Sequence, residues 1–96
     1  MALETKFFDA ADYLKNGETI SAYLTEALES DDPRLLAQAL GDVARAKGGM
    51  TQLAKDTGIS REALYRALGE NGNPEFGTIL KVLRALGVKL SASIAA

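Results

Sequence analysis

Residues 50–69 read MTQLAKDTGISREALYRALG, and the reading of this stretch decides the fold. It predicts two short helices joined by the turn Thr57-Gly58-Ile59-Ser60. Gly58 is the residue type that enters the left-handed region at a helix end without a steric penalty. Ser60 suits the start of the second helix, because its hydroxyl can accept a backbone N–H from the first turn. Ala54 in the first helix is small enough for the two helices to cross closely. In the second helix Leu64, Ala67 and Leu68, together with Ile59, form an apolar side. Glu62, Tyr65, Arg66 and Gly69 form the opposite side, with Arg61 beside them at the N-terminal end. This is the pattern of a helix-turn-helix, whose second helix is presented to a DNA major groove.

In such a unit the N-terminal residues of the second helix touch base edges. Arg61 and Arg66 can each fork onto guanine or clamp a phosphate, and Glu62 can accept a hydrogen bond from cytosine. Tyr65 can lay its ring on a thymine methyl or reach a phosphate. Glu62 and Arg66 also stand at i,i+4 spacing and can pair on the surface, and the two roles are compatible. Thr51 and Gln52 lie near the start of the first helix, where they either cap it or anchor its N-terminus on a phosphate. Ser60, Lys47, Lys55 and Asn73 complete the candidate interface, the last three as flanking phosphate contacts.

The rest of the chain narrows the function class. Its 96 residues make one domain, 1–96, with no internal repeat. Cysteine and histidine are both absent, which removes disulfides, a thiol nucleophile, zinc sites built from Cys and His, and the commonest general base. No catalytic constellation of carboxylates, Lys or Tyr stands out, so an enzyme is not expected, nor any cofactor or metal. No apolar run approaches the ~20 residues of a membrane span, and no signal-peptide pattern opens the chain. A cytoplasmic location is expected. Net charge is −2, but it is unevenly spread. Residues 1–42 hold nine acids against three bases, and residues 43–96 hold eight bases against four acids. That polarity suggests two faces for two kinds of partner, unless both are simply solvated helix surfaces.

Three regions follow: an acidic helical region over 1–42, the helix-turn-helix core over 43–87, and a tail over 88–96. Residues 1–8 read as an extended arm packed down by Phe7 and Phe8. Asp9 caps a short helix over Ala10–Leu14, which Asn16-Gly17 ends. A helix over Glu18–Glu29 places Ile20, Tyr23, Leu24, Ala27 and Leu28 on one face. Asp32 caps a third helix with Pro33 in its first position. That helix buries Leu36, Ala39, Leu40 and Val43 and is closed by Gly48-Gly49. A last helix over Phe76–Leu86 turns Phe76, Ile79, Leu80, Leu83 and Leu86 inward and stops at Gly87. Val88, Leu90, Ala92 and Ile94 then alternate with polar or small residues, a strand pattern. A lone strand leaves its backbone groups unpaired, so it either pairs with the same strand of a second subunit or frays. The fold expected is all-α, with five or six helices, a helical N-terminal extension and a short C-terminal β-strand.

Residues 50–87 resemble the lambda-repressor-like (Cro/xenobiotic-response-element) helix-turn-helix domain, through TQLAKDTGIS, SREALYRAL and FGTILKVLRAL. One departure is Ala67, where the family carries a large apolar residue, with Leu68 next to it. Nearly the whole chain is similar to a narrower group, the probable addiction-module antidote proteins. That similarity rests on FDAADYL, on ISAYLTEALESDDP, and on LLAQALGDVARAKGGMTQLAKDTGISREALYRALGENGNPEFGTILKVLRALGVKL. The resemblance implies a type II antitoxin that binds and neutralises a small basic toxin of the RelE/ParE superfamily. It also implies repression of the shared operon by binding double-stranded operator DNA, and the tail pattern makes a homodimer the expected assembly. The rival is a stand-alone phage- or host-type repressor without a toxin.

Overall fold

A computed structural model describes residues 10–95. The arm with Phe7 and Phe8, the Asp9 cap and Ala96 lie outside the described residues. Among the described residues six helices follow one another: α1 (Ala10–Tyr13), α2 (Gly17–Glu29), α3 (Pro33–Ala46), α4 (Gly49–Thr57), α5 (Arg61–Ala67) and α6 (Phe76–Ala85). No strand occurs among the described residues.

Local chemistry accounts for most of the boundaries. Asn16 does not close α1 as its pairing with Gly17 suggested; it opens α2. Its Oδ1 accepts from the Thr19 N–H at 2.9 Å, and the Asn16 N–H donates to Thr19 Oγ1 at 3.4 Å. Each residue thereby satisfies a backbone donor of the other, in the manner of a capping box. Asp32 caps α3 by accepting from the Arg34 N–H at 3.0 Å, with Pro33 in the first helical position. α6 ends at Gly87, whose N–H donates to the Arg84 carbonyl at 3.1 Å, while the Val88 N–H reaches back to the Leu83 carbonyl at 2.9 Å. That pair of bonds is the Schellman ending.

α3 organises the core. It packs against α1, α2 and α4, and α4 in turn packs against α5 and α6. Leu40 and Val43 of α3, Leu64 of α5 and Val82 of α6 are the largest side chains sealed from solvent. Leu14, Ile20, Leu24, Met50, Leu53, Leu68, Leu83 and Leu86 close around them. The inward stripe of α6 is Ile79, Val82, Leu83 and Leu86, which also keeps i, i+3, i+4, i+7 spacing. The apolar face of this helix is wider than the core contact, so two residues expected inside lie on its outer margin. Phe76 is 64% exposed and Leu80 44% exposed. Leu28 likewise sits at the exposed edge of the α2 stripe.

The C-terminal strand does not form in the single chain. Residues 88–95 carry no regular structure; Val88 packs on the core, while Leu90 is exposed and Ile94 is almost entirely so. A strand needs a ladder partner, and no described segment supplies one.

One polar link ties α2 to α3. The Tyr23 hydroxyl donates to Asp42 Oδ2 at 2.5 Å, and Arg45 Nη2 lies 2.5 Å from Asp42 Oδ1. Partial burial, reinforced by the hydrogen bond to Asp42 and its negative charge, pushes the Tyr23 hydroxyl up to about 12.

That shift has a defined pH window. An unfolded tyrosine ionises near 10, below its value of about 12 in the folded chain. The stability held by the neutral hydroxyl is therefore intact below about pH 10 and is lost as pH rises toward 12. Denaturant titrations across this range should show a steeper loss for the wild type than for Tyr23→Phe. Parallel curves would remove the link from the stability of the fold.

The loop after α5 gives a second expectation. A Cβ added at the buried Gly72 would stand 2.0 Å from the Ala67 carbonyl oxygen. Gly72→Ala should cost about 1–3 kcal/mol through forced repacking. For a domain of this size that is a fall in Tm of roughly 4–8 °C per kcal/mol. A thermal melt unchanged from wild type would contradict the close approach.

Candidate nucleic-acid interface

The α4–turn–α5 unit is held by bonds that its sequence only partly announces. The Gly58 N–H donates to the Ala54 carbonyl at 2.9 Å, and Gly58 sits at φ +75°, where the chain reverses out of α4. Thr57, read from the sequence only as a turn residue, secures the reversal twice. Its hydroxyl donates to the Leu53 carbonyl at 2.8 Å and accepts from the Ile59 N–H at 3.1 Å. Ser60 then caps α5, its Oγ accepting from the Ala63 N–H at 3.1 Å.

α5 presents two unlike sides. Leu64 and Leu68 are buried, and Ile59, Ala67 and Ala54 pack part-buried against the same core. On the other side Arg61, Glu62, Tyr65 and Arg66 are all exposed. They form two i,i+4 pairs. The Arg61 guanidinium lies over the Tyr65 ring, 5.0 Å from its centroid, and its Nη2 donates to the Tyr65 hydroxyl at 3.3 Å. Arg66 Nη1 lies 4.0 Å from Glu62 Oε1, so the surface pair expected from the spacing is present.

The flanking candidates are placed differently. Thr51 and Gln52 are exposed on α4, but neither caps it: the cap position is Gly48, and no side chain bonds the first turn. The Gln52 amide instead donates along the helix to Asp56 Oδ1 at 3.0 Å. The N-terminus of α4 is thus left without a side-chain cap, the condition in which a helix start takes an anion. Lys55 and Asn73 are exposed. The Lys47 ammonium donates to the Leu86 carbonyl at 2.7 Å, which ties the end of α3 to the end of α6. That bond spans 39 residues, a separation that local spacing does not reveal.

The structure also brings forward residues that the sequence reading passed over. Gln38, Asp42 and Arg45 stand at i, i+4, i+7 on α3 and line a groove of about 510 Å³ beside Tyr65 and the end of α5. Their helical spacing was the available signal. Across α4 and α5 the bases Lys55, Arg61 and Arg66 outnumber the acids Asp56 and Glu62 by one. The net charge of the two helices is therefore small. Among the described residues no group of acids could hold a metal ion, and no helix is long and apolar enough to cross a membrane.

Residues 4–94 match the model of a family described as probable addiction module antidote protein. A protein from Haemophilus influenzae, itself described as uncharacterized, is 48% identical over 89 residues, which covers 93% of this chain and 91% of that protein. No solved structure matches the chain.

The Ser60 cap is directly testable. Ser60→Ala should cost about 1 kcal/mol, within the roughly 0.5–2 kcal/mol known for such caps, and Ser60→Gly only a few tenths. Equal melting temperatures for the wild type and the alanine variant would show that α5 starts without help from this hydroxyl.

Proposed function

The chain belongs to the probable addiction module antidote protein family, and from that premise we propose that it is the DNA-binding antitoxin of a type II toxin–antitoxin module. It neutralises a small basic toxin of the RelE/ParE superfamily by binding it, and it represses the operon that encodes both. Operator binding is assigned to a lambda-repressor-like helix-turn-helix formed by α4, the Gly58–Ser60 turn and α5. One observation carries that assignment: α5 keeps Leu64 and Leu68 in the core while Arg61, Glu62, Tyr65 and Arg66 stand together on its outer side. Thr51, Gln52, Lys55 and Asn73 are its phosphate-side neighbours.

The acidic region 1–42 is assigned to the toxin. Its charge favours a basic partner, and Leu35 is exposed on the same part of the chain. The tail supplies dimerisation through Val88, Leu90, Ala92 and Ile94, whose alternation suits antiparallel pairing with a second copy. A two-fold pair would set two recognition helices about 34–36 Å apart, one turn of duplex.

The test is a fluorescence-anisotropy titration on the duplex upstream of the gene, between about 50 and 200 mM salt. Binding should weaken with a log–log slope of about −0.9 per phosphate neutralised. Absent or salt-indifferent binding would retire the DNA assignment. Co-expression with the adjacent gene product separates the antitoxin from a stand-alone repressor: co-purification of a small basic protein supports the first, and repression without it supports the second.

A further inference from the structure

The two arginines on the outer side of α5 are held in different ways. Arg61 makes two contacts with a single residue: its guanidinium lies 5.0 Å above the centre of the Tyr65 ring, and its Nη2 donates to the Tyr65 hydroxyl at 3.3 Å. A cation over an aromatic face is held by the ring quadrupole, and the hydrogen bond fixes its rotation. Guanidinium carries five N–H donors. One donor engaged on Tyr65 leaves four, enough for the fork that takes O6 and N7 of guanine. Arg61 is also the first residue of α5, at the end of a recognition helix that reaches base edges.

Arg66 has no such support. Among the described residues its only partner on this face is Glu62, at 4.0 Å, with the two side chains 74% and 90% exposed. Such a pair opens at little cost. It lies about 7.5 Å further along the helix axis than Arg61, by the rise per residue. A phosphate approaching this position competes with the Glu62 carboxylate for Arg66.

We propose that α5 divides recognition between its two arginines: Arg61, preset by the ring and hydroxyl of Tyr65, reads a guanine, while Arg66, restrained by Glu62, neutralises backbone phosphate. Tyr65 is then a positioning residue that acts through Arg61. This rests on the DNA-binding reading of the preceding subsection and adds the origin of its sequence choice. Presetting matters because an exposed arginine loses rotamer freedom when it docks, and a side chain already held in place loses less.

The test uses the full chain and a synthetic duplex library with a randomised core, followed by anisotropy on the selected duplex and on a scrambled one. The wild type should enrich a motif that contains guanine. Arg61→Ala should weaken binding to the selected duplex roughly 5- to 150-fold, with a smaller effect on the scrambled one, and should erase the guanine preference. Tyr65→Leu should reproduce that pattern at about 2- to 12-fold, and Tyr65→Phe, which keeps the ring, should fall between it and wild type. Arg66→Ala should weaken both duplexes alike and reduce the salt slope by about one, whereas Glu62→Gln should strengthen both alike. In DNA-free protein, the ring-current shift of the Arg61 side chain should survive in Tyr65→Phe and vanish in Tyr65→Leu. The proposal is overturned if Tyr65 variants keep the wild-type preference, or if Arg66→Ala rather than Arg61→Ala erases the guanine. A wild type that binds DNA but enriches no guanine-containing motif overturns the proposal alone, whereas one that binds no duplex fails the underlying DNA reading and the proposal falls with it.

Discussion

A helix of seven residues does not hold its shape in water by itself, since isolated helices shorter than ~12–15 residues are marginal. α5 has seven. It is helical because Leu64 and Leu68 are buried from one side, Leu64 among the largest sealed side chains together with Leu40, Val43 and Val82. Full burial of a leucine contributes about 1.5–3 kcal/mol. The surface pairs on the opposite side contribute a few tenths each, so the inside of α5 decides where its outside points. Ser60 and Thr57 refine that orientation by fixing where the helix starts and how the chain enters it.

The same core ties the acidic region to the α4–α5 unit. α3 supplies Leu40 and Val43 to the cluster that holds Leu64, and it also packs against α1 and α2. The Tyr23–Asp42–Arg45 link and the Lys47 bond to the Leu86 carbonyl extend α3 toward both ends of the chain. Part of the charge visible in the sequence is therefore spent on the fold. The Asp42 charge is offset by Arg45 beside it, whereas Lys47 keeps its charge and is fixed in place at the end of α6. What remains outward on α5 is nearly balanced, so on the DNA-binding reading sequence choice would rest on the geometry of its hydrogen-bond donors more than on its field.

Local signals were legible where their cause is local. The Asp32–Pro33 start, the Ser60 cap, the Gly58 turn and the Gly87 stop each depend on one or two adjacent residues, and each stands where the spacing placed it. Asn16 was misassigned because Asn-Gly serves equally as a helix end and a helix start; the Thr19 reciprocal bond decides between them. Phe76 and Leu80 keep the inward phase of α6 yet lie exposed, because periodicity shows that a helix has an apolar face and does not show how much of that face its neighbours cover. The Lys47 tie and the α3 residues beside Tyr65 arise from tertiary proximity, which a pass along one chain does not contain. Within the candidate interface, the four outer residues of α5 were legible from helical phase alone, and the difference between its two arginines was not.

The exposed apolar side chains of α2 and α6 share one edge of the molecule. Leu28, Phe76, Val88 and Leu90 line a single apolar groove between α2, α6 and the start of the tail, and Leu80 lies beside it with the same tail residues. The tail leaves this groove with an alternating pattern and no ladder partner among the described residues. On the dimer reading these two facts have one cause. Side chains that no core of the single chain covers, and backbone groups that no neighbouring strand pairs, are complementary needs, and a two-fold axis at this edge meets both with one more copy of the same sequence. Such an axis would also fix the distance between the two α5 helices, so on the DNA-binding reading the spacing of the half-sites would be set at this apolar edge, opposite in character to the polar outer side of α5.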